Sequence, residues 1–299
     1  MPDAAPHPPR PARSVALAWV RAARPLAQAN IALPIALGVT AATGEGFRME
    51  PWALAACAAF SVLDQLMIVF ANDYADRHTD TAARTLLSGG SGVLVDGSLS
   101  EGALRRAALL AGFGLLGLGV LLAGSRPLLL AACVAAIALL QLYSYPPARL
   151  SHRGGGEWLQ GLGIGLVLPW VGYYLVSGSA QAPLAVLLPM VLFGVSGNIT
   201  TAMPDVDADR AAGKRSLPVV VGEPRARALG VGFFAAAMAL AAWLAAPRLS
   251  GFEQAVMACP AGILCAHLVM RGRLAFALIQ GAAMTAWVAA FAWALATPP

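Results

Sequence analysis

Long apolar runs, each close to 20 residues and separated by short polar segments, recur along almost the whole chain. About 20 consecutive apolar residues let an α-helix cross the hydrocarbon core of a bilayer. We therefore predict an all-α fold, an integral membrane bundle of about nine transmembrane helices. The first run is the least regular, because Gln28, Asn30 and Pro34 interrupt it. The predicted spans are 26–43, 52–72, 104–123, 127–146, 157–177, 183–203, 225–246, 252–270 and 274–296.

The composition agrees with a membrane protein. Apolar residues make up 59% of the 299 positions and charged residues only 12%, whereas a soluble domain carries about 25% charged residues. Residues 1–23 are rich in Pro, Ala and Arg and lack the apolar core of a signal peptide. We interpret them as a cytosolic tail that precedes a single transmembrane domain, 24–299.

The distribution of basic residues predicts the orientation of the bundle. With the N-terminus inside, the inner segments hold seventeen of the 20 Lys and Arg residues, and the outer face keeps Arg48, Arg126 and Arg248. Cytoplasmic loops of membrane proteins carry such an excess, so we expect a multi-pass protein of the cell membrane with a cytosolic N-terminus. The net charge of +5 then reflects orientation and contact with anionic lipid or phosphate, and we expect no nucleic-acid binding.

An acidic cluster follows the second apolar run. Asp73, Asp76 and Asp80 are separated by steps of three and four residues, which places them within about 60° of one another on a helix. The positive-inside distribution puts this cluster on the cytosolic side. Three carboxylates on one helix face repel one another unless a cation lies between them.

A second acidic cluster follows the sixth run and has the same character. Asp205 and Asp209 share a helix face, whereas Asp207 points away from it. One such cluster is equally well explained as a solvated helix end, but two clusters on the same side favour a shared site. Hard divalent ions take oxygen ligands, and Mg²⁺ typically pairs one or two carboxylates with substrate phosphates. We therefore predict Mg²⁺ as the cofactor.

An acidic metal site at the end of an apolar bundle suits a diphosphate that carries a long hydrocarbon tail. The tail would lie among apolar side chains, and the metal and nearby cations would neutralise the leaving diphosphate. Gln65 lies inside the second span and Tyr145 at the depth of the inner boundary, so both are candidates for the substrate cavity. The candidate cations are Arg149, Arg153, Lys214 and Arg215.

These motifs resemble those of the UbiA superfamily of intramembrane prenyltransferases, and the resemblance extends from Arg24 to the last span. The residues that match are Asn72, Asp73, Asp76 and Asp80 for N-D-x-x-D-x-x-x-D, Asp205 and Asp209 for D-x-x-x-D, and Tyr145 and Arg149 for Tyr-x-x-x-Lys, with Arg in place of Lys. The stretches 213–218 and 155–157 are similar to the menaquinone-type branch. The resemblance implies nine helices around a central cavity open to the cytosol and adds Asn72 to the candidate diphosphate ligands. It also implies Mg²⁺-dependent transfer from an isoprenyl diphosphate.

Two departures from that branch concern the acceptor. Residues 201–204 read Thr-Ala-Met-Pro where the branch has Asn-Asn-x-Arg, and Val69 stands where it has Asn. We expect an aromatic or quinone-type acceptor, with attachment to glycerol-phosphate lipids or tetrapyrroles as further alternatives. Loss of polar acceptor contacts would also fit a terpene cyclase, which needs no acceptor. A cation-coupled transporter is the alternative from another class, but it would carry its ionisable groups nearer the bilayer midplane.

Overall fold

The computed structural model describes residues 12–79 and 90–297, and all regular secondary structure within these ranges is helical. A 3-10 turn, Pro25–Gln28, precedes α2, and a π-helical turn, Gly163–Val167, joins α7 to α8. The α-helices are α1 Ala12–Ala23, α2 Ala29–Gly44, α3 Pro51–Ala75, α4 Glu101–Leu121, α5 Leu128–Ser144, α6 Leu150–Arg153, α7 Gly156–Leu162, α8 Leu168–Ser177, α9 Leu184–Ala202, α10 Val206–Ala211, α11 Leu217–Val221, α12 Glu223–Ala245, α13 Gly251–Ala258 and α14 Arg273–Ala296.

Seven helical segments of the described chain are long and apolar enough to cross a membrane. Two of the nine predicted spans are not among them. The helix α5 has 17 residues, or about 26 Å at a rise of about 1.5 Å per residue. The other span consists of α13 and the 3-10 helix Cys259–Leu268, which together would extend about 32 Å. The helical membrane bundle is confirmed, whereas the count of nine stays a prediction.

The two largest hydrophobic clusters form most of the core, and α2 and α8 contribute to both. Trp287 and Phe234 centre the cluster that joins α9, α12 and α14. Phe60 and Leu115 centre the one that joins α3, α4 and α5. Burial of such side chains contributes about 1.5–3 kcal/mol each relative to exposure in water, but within lipid the packing itself has to hold the helices together.

Small residues bring α2 and α8 into backbone contact. A Cβ atom on Gly38 of α2 would overlap the carbonyl of Pro169, and one on Gly172 of α8 would overlap the carbonyl of Ile35. Close approach through glycine is the usual way for membrane helices to gain packing contacts. The short distance between α2 and α8 therefore depends on the absence of side chains at Gly38 and Gly172.

The inner ends of α3 and α9 lie in one region of the bundle. Asp76 caps the C-terminus of α3, while α9 continues through the 3-10 turn Met203–Asp205 into α10. The helix α1 occupies part of the segment predicted as a tail. Its Ala18 and Ala22 are buried against α3 and the 90–104 segment, and Trp19 packs edge-on against Phe70.

Candidate active site

A cavity of about 220 Å³ opens between the ends of α3, α5, α9 and α10. Four of the five predicted carboxylates line it, namely Asp73, Asp76, Asp205 and Asp209. The fifth, Asp80, lies outside the described residues. The structure thus brings the two acidic clusters to one cavity, as the helix-face spacing predicts.

Asp73 is the most buried of these carboxylates, with 4% of its surface exposed. The Arg24 guanidinium and the Ser91 hydroxyl both donate to it. The backbone N–H of Ser91 lies 3.3 Å from one carboxylate oxygen. Arg24 precedes α2 and Ser91 belongs to the loop before α4, so three chain segments converge on this side chain.

Asp76 is surrounded by three basic side chains. Its oxygens lie 2.8 Å from His152 Nε2, 2.9 Å from Lys214 Nζ and 3.2 Å from an Arg149 nitrogen. Burial alone would raise the pKa of Asp76, but the hydrogen bonds and charges of His152 and Lys214 outweigh it and hold that pKa well below its usual value. Asp76 is therefore anionic across the physiological pH range.

Lys214 joins the two acidic clusters. Its ammonium group lies 2.9 Å from Asp76 of the first cluster and 3.8 Å from Asp209 of the second. Asp209 also accepts a hydrogen bond of 2.8 Å from the Ser216 hydroxyl. A single cation thus bridges carboxylates from two different helices, as the mutual repulsion of those carboxylates requires.

Asp207 lies outside the cavity. Its side chain is 70% exposed and pairs with Arg273 at 2.6 Å and with Arg210 at 3.3 Å. The helical phase that separates Asp207 from Asp205 and Asp209 is present in the structure.

The backbone is strained at two arginines of this site. Arg24 and Arg149 have φ angles of 46° and 43°, and they are the two non-glycine residues with positive φ in the described ranges. Each pairs with a carboxylate of the first cluster, Asp73 or Asp76. The left-handed region costs a non-glycine residue roughly 1–2 kcal/mol, and such strain is concentrated at functional sites.

The carboxylates suit a hard divalent cation, and Asp73, Asp76, Asp205 and Asp209 are the residues that could hold one. Their oxygen donors are of the kind that Mg²⁺ prefers. As they stand, no group of three or more His, Cys, Asp or Glu side chains in the described residues is arranged to hold a metal ion. Arg24 and Lys214 supply the compensating positive charge instead.

A chain of neutral polar groups forms the deeper wall of the cavity. The Asn198 amide donates to Gln160 Oε1 at 2.7 Å and to the Tyr143 hydroxyl at 3.2 Å, and both Asn198 and Tyr143 line the cavity. Asn72, a predicted diphosphate ligand, also lines the cavity and accepts a hydrogen bond from Ser144.

Several of these residues have no place in the sequence-based prediction. Arg24, Ser91 and His152 are distant in sequence from the carboxylates that they contact, so these contacts do not follow from local spacing. Asn198 and Gln160 carry a signal that sequence reasoning could have used. Both are polar residues within predicted spans, the property by which Gln65 is selected.

Four predicted residues lie elsewhere. Arg153 and Arg215 are exposed and do not line the cavity. Gln65 is buried, and its amide nitrogen has no hydrogen-bond partner among the described residues. Tyr145 donates to the carbonyl of Ala71 at 3.0 Å and lines a second cavity.

The profile of the UbiA prenyltransferase family matches residues 31–295. The chain belongs to the UbiA prenyltransferase family. The match covers all seven long apolar helices, at least in part, and this UbiA chain is a multi-pass membrane protein. The predicted superfamily resemblance is confirmed, while its finer assignment to the menaquinone-type branch stays a prediction.

Two curated relatives match about half of the chain. The digeranylgeranylglyceryl phosphate synthase of Natronomonas pharaonis is 31% identical over 174 residues, 56% of each protein. The chloroplastic chlorophyll synthase of Oryza sativa subsp. japonica is 30% identical over 169 residues, 54% of this chain and 43% of the synthase. The matched part is thus about half the length of either relative.

A solved structure shares the fold over nearly the whole chain. The UbiA homolog from Archaeoglobus fulgidus, solved bound to GPP and Mg²⁺, superposes with a TM-score of 0.69 at 18% identity. The superposition covers 93% of this chain and 99% of that one. At this identity the likeness establishes the helical architecture.

Proposed function

We propose that this UbiA protein transfers an isoprenyl group from an allylic isoprenyl diphosphate to an aromatic or quinone-type acceptor within the membrane. One observation carries the proposal. Carboxylates from two helix ends line a single cavity, and Lys214 bridges them at 2.9 and 3.8 Å. The carboxylates can hold Mg²⁺ and Lys214 can donate to phosphate oxygens, and together these supply the positive charge that binding a diphosphate requires.

The proposed metal ligands are Asp73, Asp76, Asp205 and Asp209, with Asp80 as a further candidate. Bound Mg²⁺ would neutralise the diphosphate as its bond to carbon breaks. The A. fulgidus homolog was solved with GPP and Mg²⁺, which supports the same pairing here.

Basic side chains of the protein are the proposed ligands of the diphosphate. Arg149, His152 and Lys214 all reach the same carboxylate, Asp76, and of these three side chains Lys214 itself lines the cavity. In the proposed complex they donate to phosphate oxygens that carry the developing charge. As the carbon–oxygen bond breaks, the electron pair leaves with the diphosphate and an allylic cation remains.

The neutral polar wall is the proposed acceptor site. Tyr143 and Asn198 offer a hydroxyl and an amide within hydrogen-bond distance of each other, which suits the hydroxyl or carbonyl groups of an aromatic ring. The ring carbon attacks the cation, and the ring then loses a proton to the released diphosphate. Val69 contributes nothing to this wall, because it is buried with Ala18 and Val93 beside α1.

A second candidate keeps the donor and changes the acceptor. The relatives at 31% and 30% identity are named for synthesis of a glyceryl phosphate lipid and of chlorophyll. Either a glycerol-phosphate lipid or a tetrapyrrole would replace the aromatic ring. Cyclisation without an acceptor stays the third possibility.

We further propose that the site faces the cytosol and that the protein lies in the cell membrane. The support is the count of basic residues, seventeen of 20 on the predicted inner side. The cavity shares that side with the basic residues Arg149 and Lys214.

Acceptor-dependent product formation tests the proposal. Purified protein in nanodiscs is incubated with Mg²⁺ and geranyl, farnesyl or geranylgeranyl diphosphate, with and without phenolic, naphthoate, quinolone and glyceryl phosphate acceptors, and products are identified by mass spectrometry. A phenolic or naphthoate acceptor that gains one isoprenyl group supports the proposal. A terpene formed equally well without any acceptor contradicts it, and Asp76→Asn serves as the inactive control.

A further inference from the structure

A second cavity, larger than the first, opens between α3, α4 and α5. Its volume is about 490 Å³, within the range of about 300–1,000 Å³ typical of pockets for small organic molecules. Most of its lining is apolar. Representative apolar lining residues are Met67, Leu109, Phe113, Leu116, Ile137 and Leu140.

This second cavity is separate from the candidate active site. Ala71 and Tyr145 line it, whereas their sequence neighbours Asn72 and Ser144 line the first cavity. Hydrogen bonds join Ser144 to Asn72 and Tyr145 to the Ala71 carbonyl. The contact between α3 and α5 is thus closed, and the second cavity lies on its opposite side, where Phe113 is 67% exposed.

Polar groups lie at one end of the second cavity only. Tyr74, Gln141 and Tyr145 lie there, together with Arg105 in the second turn of α4. Arg105 forms no hydrogen bond or ion pair with any residue in the described ranges. Nearby Arg77, in contrast, pairs with Glu101 at 3.1 Å. The second cavity therefore combines an apolar interior with one cation, at the membrane boundary, that has no ion-pair partner among residues 12–79 and 90–297.

We propose that the second cavity binds an anionic phospholipid, with an acyl chain in the apolar interior and the phosphate on Arg105. Basic pockets between transmembrane helices are suited to anionic headgroups, and the Arg105 guanidinium at the end of this cavity supplies that complementarity. Each CH₂ group of the chain fills space that no side chain occupies. This proposal does not depend on the proposed catalytic function.

The bound lipid would also stabilise the part of α3 that lines the active site. Tyr145 and Ala71 form the floor of the second cavity and are bonded to each other, and the next residue after Ala71 is the predicted diphosphate ligand Asn72. A lipid packed on this floor restrains the C-terminal turn of α3. Anionic lipid should therefore raise the unfolding temperature as well as bind.

Native mass spectrometry of the delipidated protein tests the site. The protein is titrated with dioleoyl phosphatidylglycerol or, for comparison, with zwitterionic dioleoyl phosphatidylcholine. We expect one tightly held phosphatidylglycerol per chain. Binding of this lipid should also raise the unfolding temperature of the protein. Arg105→Gln should weaken retention about fivefold, the equivalent of about 1 kcal/mol per basic residue at an anionic surface. Arg106→Gln is the matched control, because Arg106 is also exposed but does not line the cavity.

A second pair of variants tests the apolar interior. A Cβ atom on Gly112 would meet only Met67, at an ordinary contact distance of 3.5 Å, so Gly112→Phe can extend into the cavity. Gly117→Phe, on the same helix with open space around it, is the control. We expect loss of the tightly held lipid in the Gly112 variant alone.

Three results would overturn the lipid proposal. One is equal retention of the two lipids by the wild-type protein. Another is the same phosphatidylglycerol affinity in Arg105→Gln as in Arg106→Gln; this comparison involves only exposed side chains, so it stands even if Gly112→Phe fails to fold. The third is displacement of phosphatidylglycerol by farnesyl diphosphate, which would assign the second cavity to the tail of a substrate.

Discussion

The two carboxylates Asp207 and Asp209 make a matched pair, because they lie two residues apart on α10 and face opposite ways. Asp209 lines the cavity, with its side chain 14% exposed, and accepts from Ser216. Asp207 is 70% exposed and pairs with Arg273. Asn at either position keeps the size of the side chain and removes its charge. Any difference between the two variants therefore reports position rather than charge alone.

The two substitutions should lower kcat/KM by amounts that differ more than tenfold. Loss of one preorganised electrostatic group at a reacting centre costs about 2.7–4 kcal/mol, so Asp209→Asn should lower kcat/KM by about 100- to 1,000-fold. An exposed ion pair contributes little, and Asp207→Asn should stay within about fivefold of wild type.

Initial rates of isoprenyl transfer, measured by mass spectrometry over a range of Mg²⁺ concentrations, check both values. Extra Mg²⁺ should partly rescue Asp209→Asn, because a weakened metal site can be filled by mass action. If Asp207→Asn were as inactive as Asp209→Asn, Asp209 could not be distinguished from Asp207 by its position on α10. That result would refute the proposed metal ligands.

Three further changes have definite outcomes. Arg149→Ala should raise KM for the diphosphate roughly ten- to hundredfold, whereas Arg149→Lys should keep most activity; equal losses would contradict a role for positive charge. Gly38→Ala should lower the unfolding temperature, since overpacking costs about 1–3 kcal/mol, while Gly117→Ala should not. The pKa of Asp76 is held low, so its contribution to stability is complete above about pH 4. That contribution is lost as the pH falls through the folded-state pKa. When the melting temperature is measured as a function of pH, it should therefore fall less steeply at acidic pH in Asp76→Asn than in the wild-type protein.

Helix periodicity predicts the acidic part of the site well. A spacing of three or four residues places Asp73 with Asp76 and Asp205 with Asp209, and the structure brings all four to one cavity. This succeeds because each pair is set by a single helix end, which is local information. The off-face position of Asp207 follows from the same rule.

The basic part of the site follows from the sequence only in part, because Arg149 and Lys214 are among the predicted cations and contact Asp76, whereas Arg24 and His152 are not predicted. Arg24 reaches Asp73 across 49 positions and Lys214 reaches Asp76 across 138, distances that only the folded bundle specifies. The basic character of the 149–153 and 213–215 segments is visible in the sequence. The sequence does not show which basic residue points towards the carboxylates: Arg153 and Arg215 are exposed, and His152 contacts Asp76.

The helix count shows a similar limit. Hydropathy marks 252–270 as one apolar run, but it carries no information on the change from α13 to a 3-10 helix at Cys259. Pro260, at the start of that 3-10 helix, is the local feature that coincides with the change, because proline cannot donate the next α-helical hydrogen bond.

The Mg²⁺ dependence of isoprenyl diphosphate binding is the decisive test of whether the acidic clusters form a metal site for the diphosphate. Isothermal titration calorimetry of farnesyl diphosphate into the purified protein, in Mg²⁺ and then in EDTA, needs no knowledge of the acceptor. We predict binding at least tenfold tighter with Mg²⁺, and loss of that gain in the Asp73→Asn and Asp209→Asn variants. Equal affinity in Mg²⁺ and EDTA would contradict a carboxylate metal site for the diphosphate.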